Sequence, residues 1–151
     1  MTRTVTRRDH LRDAVLAGAA TGLRSTAGLA ALTHARAPGL PPPLSHPRAP
    51  ALAMLAAAAE LALDKLPFTP SRLDPRGLAF RAAFAGAAGT VLKRGAGRPV
   101  PGAALVAAAA ALASARVGHD VRVAVAAHVG DVPAAIAEDA LALGLASAAA
   151  W

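Results

Sequence analysis

Glu60, Asp64 and Lys65 close an alanine-rich apolar run that begins at Ala51, within the stretch Ala58-Ala-Glu-Leu-Ala-Leu-Asp-Lys-Leu-Pro67. An ionised carboxylate in such a run needs a cation, because burying an unpartnered charge is very costly. Two arginines stand inside other apolar runs, Arg24 and Arg81, and a second acidic pair, Glu138-Asp139, stands in the last one. One chemistry open to this set is a proton or cation site, since intramembrane carboxylates commonly mark such paths. The competing use is structural: ion pairs that fix helix register, which the presence of two arginines favours. Glu60 and Asp64 are four apart and share a helical face, with Glu60 the deeper. Glu138 and Asp139 point about 100° apart on a helix, so only one can face a given arginine squarely. The expected first partner of Arg24 is Glu60.

Other chemistries find little support. His10, His34, His46, His119 and His128 show no metal-ligand spacing. Ser25, Thr90 and Ser114 lie in no nucleophile elbow or triad context. Arg94-Gly-Ala-Gly97-Arg98 lacks the strand and the Lys-Ser/Thr ending of a phosphate-binding loop. With no Cys in the chain, disulfides and thiolate chemistry are excluded. No catalytic residue, cofactor or metal is expected, and the reading leans away from an enzyme.

The elements that must carry the charges are helices. The 151 residues make one domain, 55% apolar and only 17% charged, against roughly 25% charged in soluble domains. Aromatics are 3%, so the aromatic belts of many membrane proteins are missing. The net charge is +7, but the cations sit between apolar runs, as beside anionic lipid headgroups, rather than on an aromatic-lined basic face. Nucleic acid is therefore not an expected partner; the bilayer is.

A basic N-terminal segment, residues 1–13, precedes a single helical membrane domain, 14–151. The first segment runs from Asp9, as N-cap, to Arg36; its apolar part from Ala14 to Thr33 is long enough to span a bilayer. It carries Arg24 and is too long and interrupted for a cleavable signal, so a retained helix is expected. Gly18 and Gly22, with Thr26, form a small-residue stripe suited to close helix contact, and Gly28 lies one turn beyond Arg24. The loop 37–50 holds six of the twelve prolines and reads as an extended connector outside the helices. A second helix follows from Pro50 to Leu66. Asp74-Pro75 starts a third, which holds Arg81, Gly86 and Gly89 and ends at the basic turn Lys93-Arg94-Gly95. Pro101 starts a fourth, ending near Arg116 and Gly118. Val121, Val123 and Val125 then alternate with Arg122 and Ala124, as in a short strand-like or helical link. The last segment runs from Val132 to Trp151. The expected fold is all-α: a small polytopic membrane bundle of four or five alanine-rich helices. A faint echo, an arginine helix followed by an acid helix, suggests an internal duplication. Outside the two apolar runs, nine cations fall on one side of five crossings and five on the other, which favours a cytoplasmic N-terminus.

Gly22-Leu-Arg-Ser25, Glu60-Leu-Ala-Leu-Asp64-Lys65-Leu-Pro67, Arg81 with Gly86 to Thr90, and Glu138-Asp139 occur in an order that resembles the bacterial membrane-protein family catalogued as domain of unknown function 4126. The resemblance covers about Ala14 to Ala148, and its most specific element is Glu-x-x-x-Asp-Lys-x-Pro. It implies an integral membrane protein with several helices and no assigned activity, in the cell (inner) membrane. Ser114 to Pro133 departs from the pattern, with His119 and His128 in place of a lysine-rich turn. Three functions fit the residues. The leading one is a membrane bundle whose charge network, Arg24, Glu60, Asp64, Lys65, Arg81, Glu138 and Asp139, serves assembly or passes an ion or small solute. The others are a non-catalytic membrane scaffold, open to homo-oligomers, and a soluble basic bundle that binds acidic partners.

Overall fold

The computed structural model describes residues 7–37, 39–63, 73–95 and 102–150, and all regular structure among them is helical. In chain order the helices are α1 (Arg7–Leu23), α2 (Ala27–His34), α3 (Pro42–Ser45), α4 (Ala49–Leu63), α5 (Pro75–Gly95), α6 (Ala103–Val129) and α7 (Asp131–Ala150). Alanine supplies the propensity, since it loses no side-chain entropy on entering a helix. Punctuation comes from few residues. The Asp74 carboxylate accepts the Arg76 N–H at 2.9 Å, with Pro75 at the first helical position. Gly130, at φ 88°, is the single residue between α6 and α7, a conformation that a Cβ would strain.

Several expected boundaries are corrected. The helix is already under way at Arg7, so Asp9 is no N-cap. The first apolar run is not one helix: it breaks between Leu23 and Ala27, where the Ser25 and Thr26 N–H groups turn to the Glu60 carboxylate. The proline-rich connector is not wholly extended. One turn, α3, forms with Pro42 and Pro43 at its start, where no N–H is needed. α4 opens at Ala49, ahead of Pro50. The valine alternation after Val117 forms no strand or separate link, because α6 runs unbroken to Val129. Asp64, Lys65, the helix end expected at Leu66 and Trp151 lie outside the described residues.

α1 is the hub. It packs on α5, α6 and α7, and α2 lies against α4, α5 and α7. The α1–α6 contact is made by small residues at four-residue spacing. Ala103, Ala107, Ala111 and Ala115 of α6 are all buried, and Gly18 and Gly22 of α1 lie on the carbonyls of Ala107 and Ala111. Ser114 Oγ crosses the same interface to donate to the Ala19 carbonyl at 2.9 Å. Gly89 of α5 makes a similar approach to Ala103, and Gly28 of α2 lies on Thr21 and Ala17. Gly86 differs: a Cβ there would meet only the Ala104 oxygen, at an ordinary 3.8 Å, so it is not a close-packing glycine.

Burial is inverted by size. The interior is mostly alanine, while large apolar side chains point outward, including Leu55 (66% exposed), Phe80 (64%), Leu105 (76%) and Val132 (68%). Among the described residues, two helices, α6 and α7, are long and apolar enough to cross a membrane, rather than the four or five expected. Their 27 and 20 residues span about 40 and 30 Å.

α2 ends in a Schellman motif. The Ala37 N–H reaches the Leu32 carbonyl at 2.9 Å and the Arg36 N–H reaches Thr33 at 3.1 Å. The left-handed residue of that motif is Arg36, at φ 51°, where glycine is usual. Such a conformation costs a residue with a Cβ about 1–2 kcal/mol.

The glycine contact makes a stability prediction. Gly18→Val should destabilise the protein by about 3 kcal/mol or more, because backbone rather than a side chain must yield. Gly144→Ala, with nothing within 4 Å, should be neutral or add up to about 1 kcal/mol. Denaturant unfolding of the two variants checks both signs.

Candidate functional site

The break in the first apolar run is the centre of the charged residues. Where α1 stops at Leu23, its last carbonyls lose their intrahelical partners, and the first N–H groups of α2 do likewise. Arg81 of α5, buried to 6% exposure, donates Nε–H to the Gly22 carbonyl at 3.0 Å, in the last turn of α1. On the other side, Glu60 of α4 receives the start of α2. Its Oε1 accepts the Ser25 N–H at 2.7 Å, and its Oε2 accepts the Thr26 N–H at 3.0 Å and the Thr26 hydroxyl at 2.8 Å. Each charge has the sign that its helix end favours: a cation at a C-terminus and an anion at an N-terminus.

Arg24 stands inside the break and is also 6% exposed. Its Nε–H donates to Asp139 Oδ1 at 2.6 Å, and Nη2 contacts the same oxygen. The arginine therefore meets α7 and not the expected Glu60, whose carboxylate is taken up by backbone donors. Glu138, one residue earlier, faces α6 instead and accepts Arg122 Nη1 at 3.4 Å. Adjacent acids on α7 thus serve two different cations, as their divergent directions require. Asp64 and Lys65, proposed for the same network, lie outside the described residues.

Four participants escaped sequence reading. Arg122 was assigned to a link; a helix carried through to Gly130 would have placed it within reach of α7. Ser25 and Thr26 act mainly through their backbone N–H groups, for which the only signal was a Ser-Thr pair inside an alanine run. Met54 was taken as one more apolar residue of its helix, and it lines a cleft.

That cleft, about 290 Å³, lies between α2, α4 and α7. One end is polar, formed by Arg24, Thr26, Glu60 and Asp139; the walls are alanine with Met54 and Leu143, and His34 and Ser147 also line it. Among the described residues, the polar end sets two carboxylates against one guanidinium. Comparison with family models, curated proteins and solved structures finds no match. The site must be read from its own geometry.

What the arrangement can do chemically follows from the pairs. It can hold a cation or a hydrogen-bonding group against Asp139 and Glu60, with an apolar body along the walls.

The pairings separate by double-mutant analysis. Arg24→Gln should cost about 3–5 kcal/mol by stranding Asp139, and Asp139→Asn added to it should recover much of that loss. Glu60→Gln should cost about 1.5–3 kcal/mol through its charge-assisted bonds, with no recovery when Arg24→Gln is added. Equilibrium unfolding of the four variants measures both couplings.

Proposed function

We propose that the chain is an integral membrane helix bundle that admits a small cation, protons included, into the α2–α4–α7 cleft. The observation that carries this reading is the broken helix. In membrane proteins, irregular backbone is tolerated where it is buried in protein or lines a cavity, and discontinuous helices commonly form the substrate and ion sites of transporters. Here the break carries Arg24, opens on the cleft and meets two carboxylates there. The inverted burial supports a lipid setting, since small residues pack helices closely where hydrocarbon removes the hydrophobic drive between them. α6 and α7 are suited to crossing, and a resemblance to domain of unknown function 4126 is consistent with a membrane location.

In this reading the protein lies in the cell membrane with several crossings and a cytoplasmic N-terminus. Its basic loops lie beside anionic headgroups, and a second copy is compatible with its exposed apolar faces. A cation reaching the polar end competes for the carboxylates with the groups that now hold them. α4 packs on α2 and α3, and so it is the wall most free to move.

A second reading has its own support. Among the described residues, no buried side-chain nitrogen or oxygen lacks a hydrogen-bond partner. A scaffold in which the charges only fix the break requires that degree of satisfaction.

Filling the cleft distinguishes the two. Ala58 is exposed and lines the cleft, so Ala58→Phe should block it without disturbing the ion pairs. The expected result is a protein that resists carbonate extraction from membranes and, in liposomes, supports cation or proton flux that Ala58→Phe reduces at least about tenfold at unchanged abundance. Release by carbonate would end the membrane reading. No flux from wild type above empty liposomes would leave the scaffold.

A further inference from the structure

We propose that the pocket beneath the proline-rich connector binds a phosphate group, with Arg36 and His46 as its principal donors. This site lies at the other end of α2 from the helix break and does not depend on the reading of the cleft. A cavity of about 200 Å³ opens there, lined by Thr33, Arg36, Leu40, Ser45, His46 and Pro50 among others.

Arg36 occupies the position in the Schellman motif that glycine fills without strain, at φ 51°. A residue held in an unfavoured conformation points to use of its side chain. That side chain is exposed and, in the protein, makes no hydrogen bond or ion pair. In the sequence the nearest acidic residues on either side are Asp13 and Glu60, on α1 and α4. The same stretch holds His34, Arg36, His46 and Arg48 and no acid.

The donors also have the right form. His46 Nδ1 accepts the Arg48 N–H at 3.2 Å, which makes Nε2 the protonated ring nitrogen and a donor. Ser45 adds a hydroxyl, and the guanidinium presents the planar fork that suits phosphate oxygens. Prolines 41, 42, 43, 47 and 50 restrict the connector, so little ordering remains to oppose binding. Phosphate could come from a phospholipid headgroup or from a free phosphate ester, and the test separates them.

Arg36→Gly is the decisive variant, because it removes the guanidinium while relieving the backbone. The thermal midpoint of the full chain is measured in uncharged detergent with sodium phosphate against sodium chloride at matched ionic strength. It is measured again in vesicles of phosphatidylglycerol against vesicles of an uncharged glycolipid. Wild type should be stabilised by at least one phosphate source. Arg36→Gly should be as stable as wild type or more so without phosphate, yet bind it about tenfold or more weakly. His46→Asn, which keeps an acceptor for the Arg48 N–H, should weaken binding as well, whereas Arg48→Gln, outside the cavity lining, should not. A response to dissolved phosphate assigns a free ester; a response to vesicles alone assigns a headgroup. The proposal is overturned if neither source stabilises wild type, if Arg36→Gly responds like wild type or is itself less stable, if His46→Asn binds normally, or if Arg48→Gln loses as much as Arg36→Gly.

Discussion

The fold depends on how the break in its first apolar run is closed. A helix interrupted inside a bundle exposes carbonyls on one side and N–H groups on the other, and leaving such groups unpaired where water is scarce costs more than any alanine contact returns. Arg81 closes the first end and Glu60 the second. Because those side chains come from α5 and α4, the break also ties two distant helices to the hub. The charges are therefore spent on backbone first and on one another second. Arg24, inside the break, takes a carboxylate from α7.

Small residues make this closure reachable. An Arg or Glu side chain bridges a break only if its own helix lies near, and alanine and glycine let backbones approach within that reach. The cost is a shallow interior. A buried alanine methyl contributes about as much as one buried CH₂, roughly 0.8 kcal/mol, against 1.5–3 kcal/mol for a large aliphatic side chain. With many of the large apolar side chains turned outward, Leu55, Phe80, Leu105 and Val132 among them, the interior draws its specificity from polar closure and close backbone contact. Gly18 and Gly22 therefore matter as spaces rather than as residues.

Much of the skeleton was legible because its signals are local. Asp74-Pro75 starts a helix through one hydrogen bond and one fixed dihedral, and both are visible in two letters of sequence. That Arg24 meets a carboxylate from another helix followed from desolvation alone. Which acid meets Arg24 did not, since the answer turns on the break. The run Ala14 to Thr33 has the length of a crossing, and a Ser-Thr pair within alanine is a weak stop compared with a proline. Once the chain breaks, Ser25 and Thr26 hold Glu60, and Asp139 is left for the arginine. The valines near Arg122 misled for a related reason. Three alternating residues fit a strand, but no proline intervenes before Gly130 and alanine carries the helix through. Asp64 and Lys65, outside the described residues, leave the Glu-x-x-x-Asp-Lys-x-Pro element only partly placed.

The attachment of α4 links this architecture to motion. α1 is held by three helices through close small-residue contacts, whereas α4 meets the bundle at α2, beside α3. Few buried side chains anchor it: Leu52, Met54 and Leu55 are all more than half exposed. Its inner end is fastened by the Glu60 bonds to the break, and its outer end by a proline-restrained connector. An element fastened at its ends by polar groups, and packed weakly between them, opens locally at lower cost than the global fold. Loss of the Glu60 bonds would loosen the inner fastening, while the proline-restrained connector holds the outer one. The break and the connector thus hold α4 at opposite ends, and the cleft lies between them.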